Sequence, residues 1–116
     1  MNRLPNAYLA VVDESKVNAY LLSESHPAGR AKAAFFRRHG FRVAAWEVLR
    51  DALIVHGRTA DVVSTIETPF GTKYILEGTL AAPDGRSPRL RTVWFVTTGE
   101  TSLRLVTAYP AVGGEK

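Results

Sequence analysis

His26 stands in Ser25-His26-Pro27, on a short break that the fixed φ of proline helps to hold. Imidazole titrates near neutral pH, so His26 can take and return a proton, and functional groups often sit on such loops. Its structural alternative is to cap or brace the loop. Arg30 and Lys32 follow at the start of a helical pattern. Backbone N–H groups and the positive end of the helix dipole already favour a phosphate there. Cations at that end oppose the dipole, so an anionic ligand is one reason for their presence and a solvated basic face is the other. Arg37, Arg38 and Arg42 continue the charge, with no acid from Ala28 to Trp46. The segment suits a phosphate-bearing partner, with Arg37, Arg38 and His39 read as a solvated or RNA-tracking flank.

A second constellation closes the chain: Arg89, Arg91 and Arg104 among Thr92, Trp94, Thr107 and Tyr109. Strand alternation puts Arg89 and Arg91 on one face and Thr92 and Trp94 on the other, where the apolar area of Trp94 favours the core. In a regular last strand Thr107 and Tyr109 share a face that Arg104 does not, unless a bulge intervenes. Two acids, Glu24 near His26 and Glu77 in mid-strand, could orient an imidazole or act as a base. His39 and His56 fall near predicted helix ends, where they would satisfy terminal carbonyls. The three histidines lack ligand spacing and there is no cysteine, so neither a metal site nor a disulfide is expected, and no cofactor. P-loop, GxGxxG and GxSxG patterns are absent.

These residues need elements to position them. Asp13 is a plausible N-cap for a helix running to about Leu22, with Val17, Tyr20 and Leu21 as its apolar stripe. A second helix is predicted over Arg30 to His39, stopped by Gly40, with Ala31, Ala34 and Phe35 inward. A third runs from about Val43 to His56, closed by Gly57, with Trp46, Leu49, Leu53 and Ile54 or Ala45 buried. Leu9 to Val12 is a first strand or an extended lead-in. Four strands then follow, at Asp61 to Glu67, Thr72 to Leu80, Arg89 to Thr97 and Ser102 to Tyr109, separated by turn residues. Short loops make neighbouring strands antiparallel. The fold class is α+β: two to three N-terminal helices on a four-stranded antiparallel sheet, the helical half at about 13–57 and the sheet at about 61–109.

The 116 residues, 46% hydrophobic and 22% charged, describe one globular domain over 1–116. A net charge of +4 biases the chain moderately toward RNA, DNA or acidic protein. No apolar run at the N-terminus is long enough for a signal peptide or membrane span, so no membrane association and a cytoplasmic location are expected.

Leu4-Pro5-Asn6-Ala7, Tyr20-Leu21-Leu22, His26-Pro27-x-Gly29-Arg30-x-Lys32-Ala33, Phe35-Phe36, Gly40-Phe41, Thr92-Val93-Trp94 and Arg104-Leu105-Val106-Thr107-x-Tyr109 together resemble a small bacterial uncharacterised-domain family. HPxGxxKA and RLVTxY are its most specific parts. Such domains resemble C-terminal modules of polymorphic toxins and the toxin components of toxin–antitoxin pairs. Those modules are similar to the barnase/EndoU/colicin/RelE class of metal-independent ribonucleases, with N-terminal helices before a four-stranded sheet. The resemblance implies an endoribonuclease acting by 2′-OH transesterification on RNA, with a small cognate antitoxin or immunity protein as partner. It implies His26, Lys32, Thr107 and Tyr109 as catalytic residues and Arg30, Arg91 and Arg104 as phosphate-binding ones. The alternative is a non-catalytic nucleic-acid-binding or protein-interaction module.

Overall fold

The computed structural model describes residues 3–22 and 30–111. Leu9 to Val12 does form a strand, β1 (Ala10–Val11), after a 3-10 turn at Ala7–Leu9. The expected first helix is a single α turn, α1 (Glu14–Lys16), that widens into a π-helical turn at Val17–Leu21. There the Leu22 N–H reaches back to the Val17 carbonyl at 2.8 Å. Val17, Leu21 and Leu22 are buried. Asp13 holds the N-cap position, but its side chain caps no backbone N–H. It accepts a hydrogen bond from Arg104 Nη1 at 3.3 Å instead.

Helix α2 (Arg30–Arg38) ends one residue short of the predicted His39, and Gly40 follows with φ 98°, the left-handed backbone a helix terminus favours. Its buried face is turned from the predicted one. Ala33 and Phe36 are fully buried, Phe35 packs at the core margin, and Ala34 is exposed. Phe36 sets this orientation by meeting the Phe41 ring edge-on at 6.0 Å. After a 3-10 turn at Val43–Ala45, α3 (Trp46–Thr59) buries Leu49, Leu53, His56 and Gly57. Gly57 therefore lies inside the helix and does not close it. It is needed because the Trp94 ring lies against it: a Cβ there would fall 2.8 Å from Trp94 Cζ2.

Four long strands follow: β2 (Asp61–Thr68), β3 (Gly71–Thr79), β4 (Arg89–Thr97) and β5 (Leu103–Pro110). The sheet has five strands in the order β1-β5-β4-β3-β2. The antiparallel meander is as expected, and the fifth strand is the correction: β1 adds to β5 in parallel, pairing Ala10 with Leu103 and Val11 with Arg104. The core fills one face. Leu76 of β3, Leu90 and Trp94 of β4 and Leu105 and Ala108 of β5 cluster with Phe36, Leu49 and Leu53 of the helices. Burying side chains of this size is worth about 1.5–3 kcal/mol each. The helices thus occupy a single side of the sheet, and the side chains of alternate residues form the other face.

Candidate functional site

Directly opposed residues of an antiparallel pair point to the same side, so the register writes out that other face row by row. Glu77 of β3, Arg91 of β4 and Tyr109 of β5 form one row. Ile75, Val93 and Thr107 form the next, and Lys73, Phe95 and Arg104 the one beyond. The last row is possible because β5 is bulged. Thr107 pairs with Val93 while Leu105 pairs with Trp94, leaving Val106 unpaired between them. That single residue reverses the parity of β5 and brings Arg104 to the side of Thr107 and Tyr109.

The charged row is tightly knit. Arg91 Nε donates to Glu77 Oε2 at 2.8 Å, and Arg91 Nη2 donates to the same oxygen. Arg89 Nη2 lies 3.8 Å from Glu77 Oε1. Hydrogen bonding to Glu77 first, and to the Tyr109 side chain second, raises the Arg91 pKa above its ordinary value. One carboxylate thus sits among two guanidiniums, beside a phenol, on a face that carries no helix among the described residues. Glu77 occupies a position where an arriving anion would find donors already aimed.

Arg104 stands apart from this cluster. Four strand residues separate its row from that of Arg91, about 13 Å at 3.3 Å per residue. Its partner is Asp13, not a member of the charged row. Thr107 is half-buried in the middle row beside Val93, which is nearly covered. Lys32 is half-buried on α2, in the helical layer whose Ala33 and Phe36 enter the core on the other side of the sheet. Arg30 begins α2; its side chain and the whole of His26 lie outside the described residues. Register therefore gathers Arg91, Thr107, Tyr109 and Arg104 on one face, and Lys32 belongs to the layer behind it.

Two residues of the charged cluster, Glu77 in the row and Arg89 beside it, carry little signal in the sequence. Glu77 was one of two candidate acids and Arg89 was placed only by alternation. Their meeting depends on β3–β4 register, which the long connection at 80–88 leaves unspecified in the sequence.

The other histidines are structural in ways their positions did not announce. His39 Nδ1 lies 3.0 Å from Asp84 Oδ2 and is nearly buried, so it ties α2 to the β3–β4 connection and is no solvated flank. His56 is buried and caps no helix end: its Nε2 lies 3.0 Å from the Leu90 carbonyl and 3.3 Å from that of Gly78. Among the described residues no group of three His, Asp or Glu side chains converges as a metal ligand set. A cavity of about 220 Å³ lies between the N-terminal segment and the β4–β5 connection, lined by Asn6, Tyr74, Glu100 and Leu103 among others, and includes none of the site candidates.

This arrangement of helices and sheet is similar to a chain from a contact-dependent growth inhibition toxin–immunity protein complex from Klebsiella pneumoniae 342. The TM-score is 0.69 over 87% of this chain and 99% of that one, at 19% identity, so the likeness is one of fold. The chain itself belongs to the family described as Domain of unknown function (DUF6883), whose profile matches residues 3–112. No curated protein sequence matches it.

Proposed function

We propose that this protein is a toxin module that cleaves RNA on its open sheet face, without a metal, by 2′-OH transesterification. The observation that carries the reading is the Glu77–Arg91–Tyr109 row with Arg89 beside it. A substrate phosphate competes with Glu77 for the guanidinium donors. Binding it frees a carboxylate oxygen next to the phosphate, where a base is needed. Glu77 then takes the proton of the ribose 2′-OH, and the 2′-oxygen attacks phosphorus. Arg91 and Arg89 stabilise the added charge on the phosphoryl oxygens, and the Tyr109 hydroxyl positions one of them. The P–O5′ bond breaks as an acid protonates O5′, giving a 2′,3′-cyclic phosphate and a 5′-hydroxyl. His26 is the proposed acid, Thr107 lines the path of the strand, and Arg104 holds a neighbouring phosphate. Lys32 and Arg30 add positive charge from the helical layer.

The fold likeness to a chain of a toxin–immunity complex supports the toxin reading and suggests a small antitoxin or immunity partner. A cytoplasmic site of action is part of the proposal. Among the described residues no helix is long and apolar enough to cross a membrane.

Purified protein incubated with total RNA in EDTA tests the chemistry. RNA should be degraded to fragments with cyclic phosphate ends. Glu77→Gln should slow this by about 10²- to 10⁴-fold, the usual contribution of a general base. His26→Ala should be impaired comparably, and Tyr109→Phe less. Full activity in folded Glu77→Gln would remove the site. The second reading, a binding module without catalysis, is favoured by the same engagement of Glu77 with two arginines, which could be a purely structural lock. It predicts salt-sensitive RNA binding with the RNA intact.

A further inference from the structure

The third row of the open face has a chemistry of its own. Phe95 is half-buried at its centre, with Lys73 directly opposite on β3 and Arg104 directly opposite on β5. Its ring does not stand upright on the sheet. It extends across the neighbouring strand to Gly71, where a Cβ would fall 2.6 Å from Phe95 Cζ and 2.9 Å from Cε2. Gly71 thus leaves bare backbone beside the tip of the ring, and the close approach of the Val96 carbonyl oxygen also excludes a Cβ there. A half-buried aromatic between two cations is what an unpaired nucleotide binds: the base stacks on the ring and the phosphates meet the cations. Neither cation is committed elsewhere in a way that prevents this. The Arg104–Asp13 pair is solvent-exposed on both sides, 62% and 53%, and exposed pairs are weak enough for a phosphate to displace.

We infer that Phe95, Lys73 and Arg104 form a stacking subsite for an unpaired nucleotide of single-stranded RNA. The inference rests on the proposed action on RNA and adds its substrate class: an unpaired segment long enough to reach a second row. The row lies about 13 Å from Arg91. Stacked bases are 3.4 Å apart along a strand, so the stacked nucleotide is not the one at the scissile phosphate. Nucleotide length therefore becomes a variable that only the long substrate feels.

The test uses the full chain and 2′-O-methyl RNA, which cannot be cleaved by the proposed route, as an eight-nucleotide strand and as a dinucleotide. Affinity is read by fluorescence anisotropy. Phe95→Leu should weaken binding of the long strand roughly tenfold to a hundredfold and leave the dinucleotide unchanged. Phe95→Tyr should restore it, and Lys73→Ala should lower the salt slope by about 0.7, the loss of one phosphate contact on a single strand. Thermal unfolding of each variant separates loss of fold from loss of subsite. Equal long-strand affinity of folded Phe95→Leu overturns the proposal, as does an equal loss on both lengths, tighter binding of a duplex than of a single strand, or binding of acidic peptide in place of RNA. Because binding is read without cleavage, an inactive protein that binds RNA through Phe95 would retain the subsite and lose the proposed reaction.

Discussion

At the residue scale, the buried polar network around His56 is the most constrained feature of the core. Two backbone carbonyls face Nε2, so the proton belongs there, and Nδ1 is left to accept from the Thr92 hydroxyl at 3.1 Å. Thr92 Oγ1 in turn accepts from Trp94 Nε1–H at 2.9 Å. Every donor in this chain meets an acceptor, Nε2–H being shared between two carbonyls, and the neutral imidazole is the form that fits it. Burial is the main cause of the lowered His56 pKa, partly opposed by the hydrogen bonds to Gly78 and Leu90. Between that lowered value and 6.5 the unfolded chain binds more protons than the folded one, so stability rises with pH across this window. The contribution is complete above 6.5 and is lost as pH falls toward the folded value. Urea midpoints measured from pH 7.5 downward should show the decline, and His56→Gln should flatten it. A decline unchanged in His56→Gln would assign it to other groups. The Asp84 carboxyl, lowered from 3.8 first by the Arg86 backbone N–H, acts in a separate, more acidic window. Thr92→Val leaves two buried polar atoms without partners and should cost about 1–3 kcal/mol for each, read as a urea midpoint shift. None of this was legible in the sequence, where His56 showed only its place near a helix end. Its partners lie on β3 and β4, and nothing local encodes that meeting.

At the element scale, Gly57 and Trp94 decide where α3 sits. Replacing an exposed helical glycine by alanine gains about 1 kcal/mol of helix propensity. Here the added methyl would meet a fully buried indole held by its hydrogen bond to Thr92, and overpacking costs about 1–3 kcal/mol. The packing term wins, so Gly57→Ala should lower the thermal midpoint. In a Trp94→Leu background the same change should become neutral or stabilising, and a double-mutant cycle reads the difference. Persisting destabilisation in that background would place the cause elsewhere. Element types and order were readable because patterns of three-to-four and two residues record which face is buried, as in Leu49 and Leu53 of α3. Boundaries failed where a tertiary contact overruled the local signal: Gly57 looks like a stop until Trp94 is seen against it. The burial phase of α2 failed for a related reason, since Phe36 rather than Phe35 meets Phe41.

At the scale of the whole molecule, charge and topology work together. Residues 25–46 and 85–99 contain no acid. They are fastened where His39 meets Asp84 and where the Asp84 N–H donates to the His39 carbonyl at 3.3 Å. Arg38 and Arg42 are exposed on one side of this junction and Arg86 on the other. On the proposed reading these arginines follow the RNA away from the open face. Reversing all three to Glu should reduce the slope of log affinity against log salt by at least about 2, at 0.7 for each phosphate contact. An unchanged slope would leave them as solvated charge. The basic run was plain in the sequence; that it is fastened to the β3–β4 connection was not, because His39 and Asp84 lie far apart in the chain. The bulge at Val106 adds a consequence of another kind. An exposed side chain there contributes little by its identity, so Val106→Thr or Val106→Lys should leave the fold intact. Its place outside the pairing is another matter. Were Val106 drawn into a regular ladder, either Arg104 or the pair Thr107 and Tyr109 would point into the core, and buried leucines or Ala108 would face water. Position 106 thus carries information by being counted rather than by being read, and a comparison of related chains by residue type alone would pass over it.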